Sequence, residues 1–172
     1  LVRSRGLGDV YKRQVYSYSP IQHSGSSLNN KTASSVCVAR DGKLWIGTDG
    51  GGINVFDKGK RVAVYKEETG DLTDNSIQAA LCDSEGNLWF GSFMGGVDFY
   101  DVKKKSFHQI FPKDKTGEDV RALYEDAEYV WIGTSNGIYK VRLHDKGIAD
   151  HYTVENNLVR CISKDNLNRL WI

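Results

Sequence analysis

Apolar residues along this chain fall on successive positions around its tryptophans, as in Leu44-Trp45-Ile46 and Leu88-Trp89-Phe90. A strand with one wet face alternates apolar and polar residues. Side chains that are apolar on both sides of a strand imply a sheet sandwiched between other sheets. Each tryptophan run closes on Gly-Thr or Gly-Ser and passes through a glycine-rich turn into a second apolar run. In the best-defined stretch this pattern predicts four short strands, Ser76–Cys82, Asn87–Ser92, Gly96–Tyr100 and Ser106–Phe111, with the polar turn "DSEGN" between the first two. The 3.6-residue spacing of an amphipathic helix is absent.

The pattern repeats. Trp45, Trp89, Trp131 and Trp171 lie 44, 42 and 40 residues apart, in "KLWIGT", "NLWFGS", "YVWIGT" and "RLWI". The segment "LNNKTASSVCVARDGKLWIGTDGGGINVFD" aligns without a gap on "LTDNSIQAALCDSEGNLWFGSFMGGVDFYD". A third copy, "DVRALYEDAEYVWIGTSNGIYKV", is one residue shorter in each of two turns, and a fourth, "NLVRCISKDNLNRLWI", breaks off in mid-strand. Four-stranded units of about 40–45 residues with both faces buried are the sequence mark of β-propeller blades. The expected fold is all-β, a partial β-propeller of about three complete four-stranded blades plus fragments of the flanking ones. Blades are placed at about 28–66, 72–112 and 117–153, a truncated blade at 157–172, and the outer strand of a preceding blade at 15–18. Residues 1–14 match no repeat position and are read as a non-native or linker segment.

The repeat also settles what "GTDGGG" is. Glycine-rich turns after a strand can cradle phosphate, but such a loop occurs once and opens a helix. Here the glycines recur as "GSFMGG" and "GTSNG" without a following helix, so they read as β-turns requiring positive φ. Glu128 and Asn168 stand where the first polar turn has glycine in the other copies, and Lys31 stands where Asn75 and Asn157 occur.

Composition adds mostly exclusions. The 23 basic and 22 acidic residues give a net charge of +1, which argues against a general nucleic-acid or membrane-surface binder. No apolar run approaches the roughly 20 residues of a membrane span. The three cysteines, Cys37, Cys82 and Cys161, fit neither a CxxC motif nor a zinc site and read as core residues. His23, His108, His144 and His151 show no metal-binding spacing. "DSEGN" has alternating oxygen donors like a calcium loop, but its glycine comes too early and Met94 occupies the place of the closing Glu. No catalytic residues, metal or cofactor are expected.

The motif "DxxGxLWIGTxxGGLxxYD", followed by an aromatic strand and an Asn-containing loop, resembles the two-component regulator propeller repeat, and the match runs over 15–172. The resemblance implies a piece of the periplasmic sensor of a hybrid two-component system of Bacteroides-type bacteria. Two propellers, a β-sandwich, a membrane helix and a histidine kinase would make up the whole. It further implies an oligosaccharide ligand, a homodimeric full-length protein and no nucleic acid contacted by this segment. An arc of three blades cannot close on itself, so in isolation its end faces would expose apolar area beyond what soluble monomers tolerate.

If the first strand of each unit lies nearest the axis, two sets of loops share one face: those leading into each inner strand and those following each tryptophan strand. They are rich in Asn, Asp, Thr, Lys and His, donors and acceptors suited to sugar hydroxyls. The candidate ligand-binding residues are Phe93, Asp49, Asn136, Lys31, Asn75 and Asn157. Phe93 can either stack on a pyranose ring or pack against an adjacent loop. Two other readings compete with a sensor. A lyase-type enzyme would need a histidine and acidic residues at inner-strand ends, where Lys31, Asn75 and Asn157 stand. A protein-interaction scaffold would use the same loops as a sensor.

Overall fold

The computed structural model describes residues 27–110, 119–155 and 158–172. Its regular structure is all strand. Three four-stranded antiparallel meanders follow one another: β1 (Ala33–Val38), β2 (Leu44–Thr48), β3 (Gly52–Asp57) and β4 (Lys60–Tyr65); β5 (Ile77–Cys82), β6 (Leu88–Ser92), β7 (Val97–Asp101) and β8 (Ser106–Gln109); β9 (Val120–Asp126), β10 (Tyr129–Thr134), β11 (Gly137–Arg142) and β12 (Ile148–Tyr152). A two-stranded remnant, β13 (Ser163–Lys164) with β14 (Leu170–Trp171), begins a fourth unit. Strands are paired in chain order within each sheet, and β1, β5 and β9 pack side by side as the innermost strands. These are propeller blades. The fourth strand of the second blade is shorter than the expected Ser106–Phe111, ending as a ladder at Gln109; Ile110 N–H still donates to the Val97 carbonyl at 3.0 Å. The readings for 1–14, 15–18 and Phe111 lie outside the described residues.

The tryptophans of the three four-stranded sheets, Trp45, Trp89 and Trp131, point into the interface with the following unit. In the first sheet, the cross-strand register aligns Cys37, Trp45, Val55 and Ala63 on one face. That face meets Ile77, Leu88, Phe90 and Tyr100 of the second. Trp45 stacks on Tyr65 at 5.5 Å and lies 4.9 Å from Tyr100. The opposite face of the second sheet carries Trp89 and Phe99 against Val120, Val130, Ile132 and Val141 of the third. The third presents Ala122, Trp131 and Ile138 to Val159 and Ile162. Burying both faces of each sheet is what makes the tryptophan strands apolar on successive residues.

The Gly-Thr/Ser pair closing each tryptophan strand serves as a joint. A Cβ on Gly47, Gly91 or Gly133 would sit 2.4–2.6 Å from side-chain atoms of Ile77, Val120 and Val159, or of Ser35. The glycine therefore lets the next inner strand come close. The following hydroxyl is fully buried and closes the turn. Thr48 Oγ1 donates to the Gly52 carbonyl at 2.8 Å, Ser92 to Gly96 at 3.2 Å and Thr134 to Gly137 at 3.1 Å. In the third blade the positive φ of the β9–β10 turn falls on Ala127 (52°), not on Glu128. Asp126 pairs directly with Tyr129, so the shortened hairpin moves the special position back by one residue. Asn168 takes the glycine position of the fourth turn at φ 62°.

Candidate functional site

One face carries both loop sets. The turn between β2 and β3 is tied to the start of its own blade, Asp49 N–H donating to the Thr32 carbonyl at 3.0 Å. It is also tied to the entry of the next blade, where Gly50 and Gly52 N–H both donate to the Asn75 carbonyl at 3.1 and 2.8 Å. Asp49 and Ser76 form a β-bridge, and the Ser76 hydroxyl donates to the Asp49 carboxylate. The later blades repeat parts of the scheme. Phe93 N–H donates to the Ser76 carbonyl at 2.9 Å, Ser135 N–H to Asp119 at 2.9 Å, and Val159 N–H to Thr134 at 3.0 Å.

This stitching brings three candidate residues into one cluster, Asp49, Asn75 and Phe93, with Ser76 at its centre. Asn75 is committed to holding the loop: its Oδ1 accepts the Glu67 N–H at 2.9 Å and its Nδ2 donates to Glu68 at 3.2 Å. Asp74 organises the tip, accepting the Ser76 and Met94 N–H groups, each at 2.9 Å. The Phe93 and Met94 side chains stand out from this frame, 44% and 54% exposed. Lys31 is exposed immediately before β1. Asn136 belongs to the exposed tip of the β10–β11 turn. There its N–H donates to Thr134 Oγ1 at 3.0 Å and its carbonyl meets His151 Nε2 at 2.8 Å. His151 in turn stacks on Tyr139 at 4.1 Å. Asn157 lies outside the described residues.

Beneath the loops sits a buried polar layer that sequence reasoning passed over. Asp98 on β7 is almost fully buried and accepts Thr73 N–H at 3.0 Å and Thr73 Oγ1 at 2.7 Å. Burial pushes its carboxyl up to about 6, against the pull of the Thr73 bonds, with the Asp74 charge adding to the rise. The first blade has Asn54 here, exchanging hydrogen bonds with Asn29 at 2.6 and 3.2 Å. The signal was present in the sequence, since Asn54 and Asp98 are the polar residues inside otherwise apolar runs.

The residues of "DSEGN" also acquire a role, and it is structural. Asp83 Oδ1 accepts the Glu85 and Asn87 N–H groups at 3.0 and 2.7 Å, while Oδ2 accepts Trp89 Nε1 at 2.8 Å. Asp165 repeats this with Leu167, Arg169 and Trp171. Among the described residues no group of His, Cys, Asp and Glu could hold a metal ion. His108 and His151 lie on the outer strands β8 and β12, and His144 lies between β11 and β12. Burial pushes the Cys37 thiol up to about 12, helped by Cys82, as suits an unreactive residue packed against the core, whereas Cys161 is exposed and is not the core residue expected.

Comparison with known proteins fits this architecture. The family model described as "two component regulator propeller" matches residues 27–50 and 71–94. The extracellular domain of a hybrid two-component system from B. thetaiotaomicron is 45% identical with a TM-score of 0.80; the match covers 88% of this chain and 21% of that one. A second extracellular domain, from a one-component system of the same organism, shares 18% identity at a TM-score of 0.72, covering 82% and 20%. Virginiamycin B lyase from Staphylococcus aureus, 20% identical with a TM-score of 0.65 over 83% and 49%, shares the fold. No curated protein matched the chain. The chain thus spans about a fifth of the length of the extracellular domains it resembles.

Proposed function

Since this chain is built of two-component regulator propeller repeats and is similar to extracellular sensor domains of Bacteroides hybrid two-component systems, we propose that it is part of a periplasmic sensor that recognises an oligosaccharide and signals to a histidine kinase elsewhere in the protein. The observation that carries the ligand reading is the Phe93-Met94 tip. An exposed aromatic held by backbone bonds beside the Asp49–Ser76 pair offers a flat apolar surface next to polar groups. Pyranose rings have that same two-sided character, with C–H faces that stack and hydroxyls that hydrogen-bond. Lys31, Asn136 and Asn157 would add polar contacts from neighbouring blades, and the full-length sensor would work as a homodimer.

Titration of the intact sensor region with oligosaccharides prepared from a panel of polysaccharides tests this. One of them should bind, and Phe93→Ala should weaken binding about tenfold or more, the scale of a lost stacking contact. If no glycan binds, the same face serves protein contacts instead. A lyase at the axis finds less support, because the described histidines lie on outer strands and their turn.

A further inference from the structure

The inner strand of each four-stranded blade carries a β-bulge at the same place. The pairing register skips Ser34 in β1, Gln78 in β5 and Arg121 in β9. A bulge re-aims the side chain of its extra residue. In the first two blades that side chain is spent on the protein. Ser34 Oγ donates to the Gly47 carbonyl at 3.2 Å. Gln78 Nε2 donates to Ser76 Oγ at 3.1 Å, and the Ser76 hydroxyl donates to Asp49 on the preceding tip. The joint between the first and second blades is thus closed by a polar chain of tip residue, entry residue and bulge residue.

The next joint has the same three places with different chemistry. Val120 packs on Gly91 as Ile77 packs on Gly47. Counted from these contacts, Asp119 stands in the place of Ser76, Arg121 in that of Gln78 and Phe93 in that of Asp49. Arg121 Nε donates to Asp119 Oδ2 at 2.6 Å. Asp119 is buried, and its backbone is fastened to the turn that bears Asn136. Its N–H donates to Ser135 Oγ at 3.3 Å and its carbonyl accepts the Ser135 N–H at 2.9 Å. The ion pair therefore sits between two candidate tips, Phe93-Met94 and Ser135-Asn136. Phe93 has no side-chain polar group to continue the chain as Asp49 does. The Arg121 side chain is 33% exposed, and its terminal nitrogens have no acceptor among the described residues. Holding the guanidinium by Nε leaves its far edge as a fork of two parallel N–H donors.

On the oligosaccharide reading of this face, on which the assignment rests, we propose that Arg121 is a ligand-contacting residue that presents this fork to two neighbouring oxygens of a sugar unit beside Phe93. Adjacent hydroxyls of a neutral sugar offer such a pair, and so does the carboxylate of a uronic acid. The buried Asp119 carboxylate holds the guanidinium in place before the sugar arrives, which reduces the ordering cost of binding. Arg121 thereby joins the Phe93 and Asn136 tips into one continuous surface across two blades.

Cellotriose, mannotriose, xylotriose and galactotriose as neutral probes, and trigalacturonate as the acidic one, would be titrated into the intact sensor region by calorimetry. Arg121→Lys keeps a cation for Asp119 and removes the fork. It should weaken the probe that binds by about tenfold or more, with the melting temperature unchanged. An arginine that served only to neutralise Asp119 would be replaced by lysine without loss. Trigalacturonate binding that falls steeply with added salt would place a carboxylate in the fork, and salt-insensitive binding of a neutral trisaccharide would place hydroxyls there. Undiminished binding to Arg121→Lys would overturn the role of Arg121, and the oligosaccharide reading would still stand if Phe93→Ala weakens the same probe. If no trisaccharide binds the unaltered protein, the role and the reading beneath it fall together. Should Arg121→Lys fail to fold, Arg121→Gln, which copies Gln78, takes its place in the same titration.

Discussion

The first and second blades are close copies in sequence, yet they sit differently. The second is enclosed on both faces: Leu88, Trp89 and Phe90 are fully buried, and a carboxylate ties the tryptophan to its turn. In the first, the face turned away from the second blade is buried unevenly, with Leu28, Ile46 and Phe56 packed together on it. On that same face Val36 and Val38 of β1 are 59% and 60% exposed, whereas their counterparts Ala80 and Cys82 pack against the first blade. The difference shows that a blade does not own its core. Each interface is shared, so a given apolar residue stabilises only as much as its neighbouring sheet allows.

The comparison can be broken most severely at Trp89. Trp89→Ala should cost about 3–5 kcal/mol in denaturant unfolding of the intact protein, since it empties an enclosed interface. Asp83→Ala should come next, at roughly 1–3 kcal/mol, by leaving the Trp89 N–H and two backbone donors without their acceptor. It would turn the second blade into a likeness of the first, which has Ala39 in that place.

A smaller effect is expected at Asp98, with a definite sign. Its folded carboxyl is raised from 3.8 to about 6 by burial, so the charged form is disfavoured in the folded state. Its contribution to stability should therefore be highest below the unfolded value and fall as pH rises through this window, by on the order of 1–3 kcal/mol. Asp98→Asn copies the first blade's Asn54 and should remove that dependence, as melting curves between pH 4 and 7 (about the range over which such a group titrates) would reveal. The smallest effect on stability belongs to Phe93→Ala, which should stay within about 0.5 kcal/mol because the side chain is exposed and the joint is made by its backbone.

The propeller was legible because its period is written in large residues. Tryptophan recurs at fixed places, and its apolar neighbours mark strands covered on both sides. The paired loop sets on one face were legible too, since they follow from strand order. What each polar residue does there was not. Asn29 meets Asn54, and Thr73 meets Asp98, across 25 residues of chain, and no local pattern registers that pairing. Asp83 looked like part of a turn because its second partner, the Trp89 indole, lies inside the core. The shift of positive φ onto Ala127 depends on hairpin length, which moves the strained position without changing which residue aligns with glycine. Among the candidates, Asp49, Asn75 and Phe93 fall together because backbone bonds join their loops, and Asn136 sits one blade further on.

Those same bonds bear on how such a protein can change over generations. The joints between turns and inner strands are made largely by main-chain N–H and C=O groups, which every residue but proline supplies in full. The side chains at the tips, Asp49-Gly50, Phe93-Met94 and Ser135-Asn136, differ completely while the joints recur. Mutation can therefore redraw the tips without loosening the blades beneath, and duplicated copies of one repeat are free to drift toward new ligands one loop at a time.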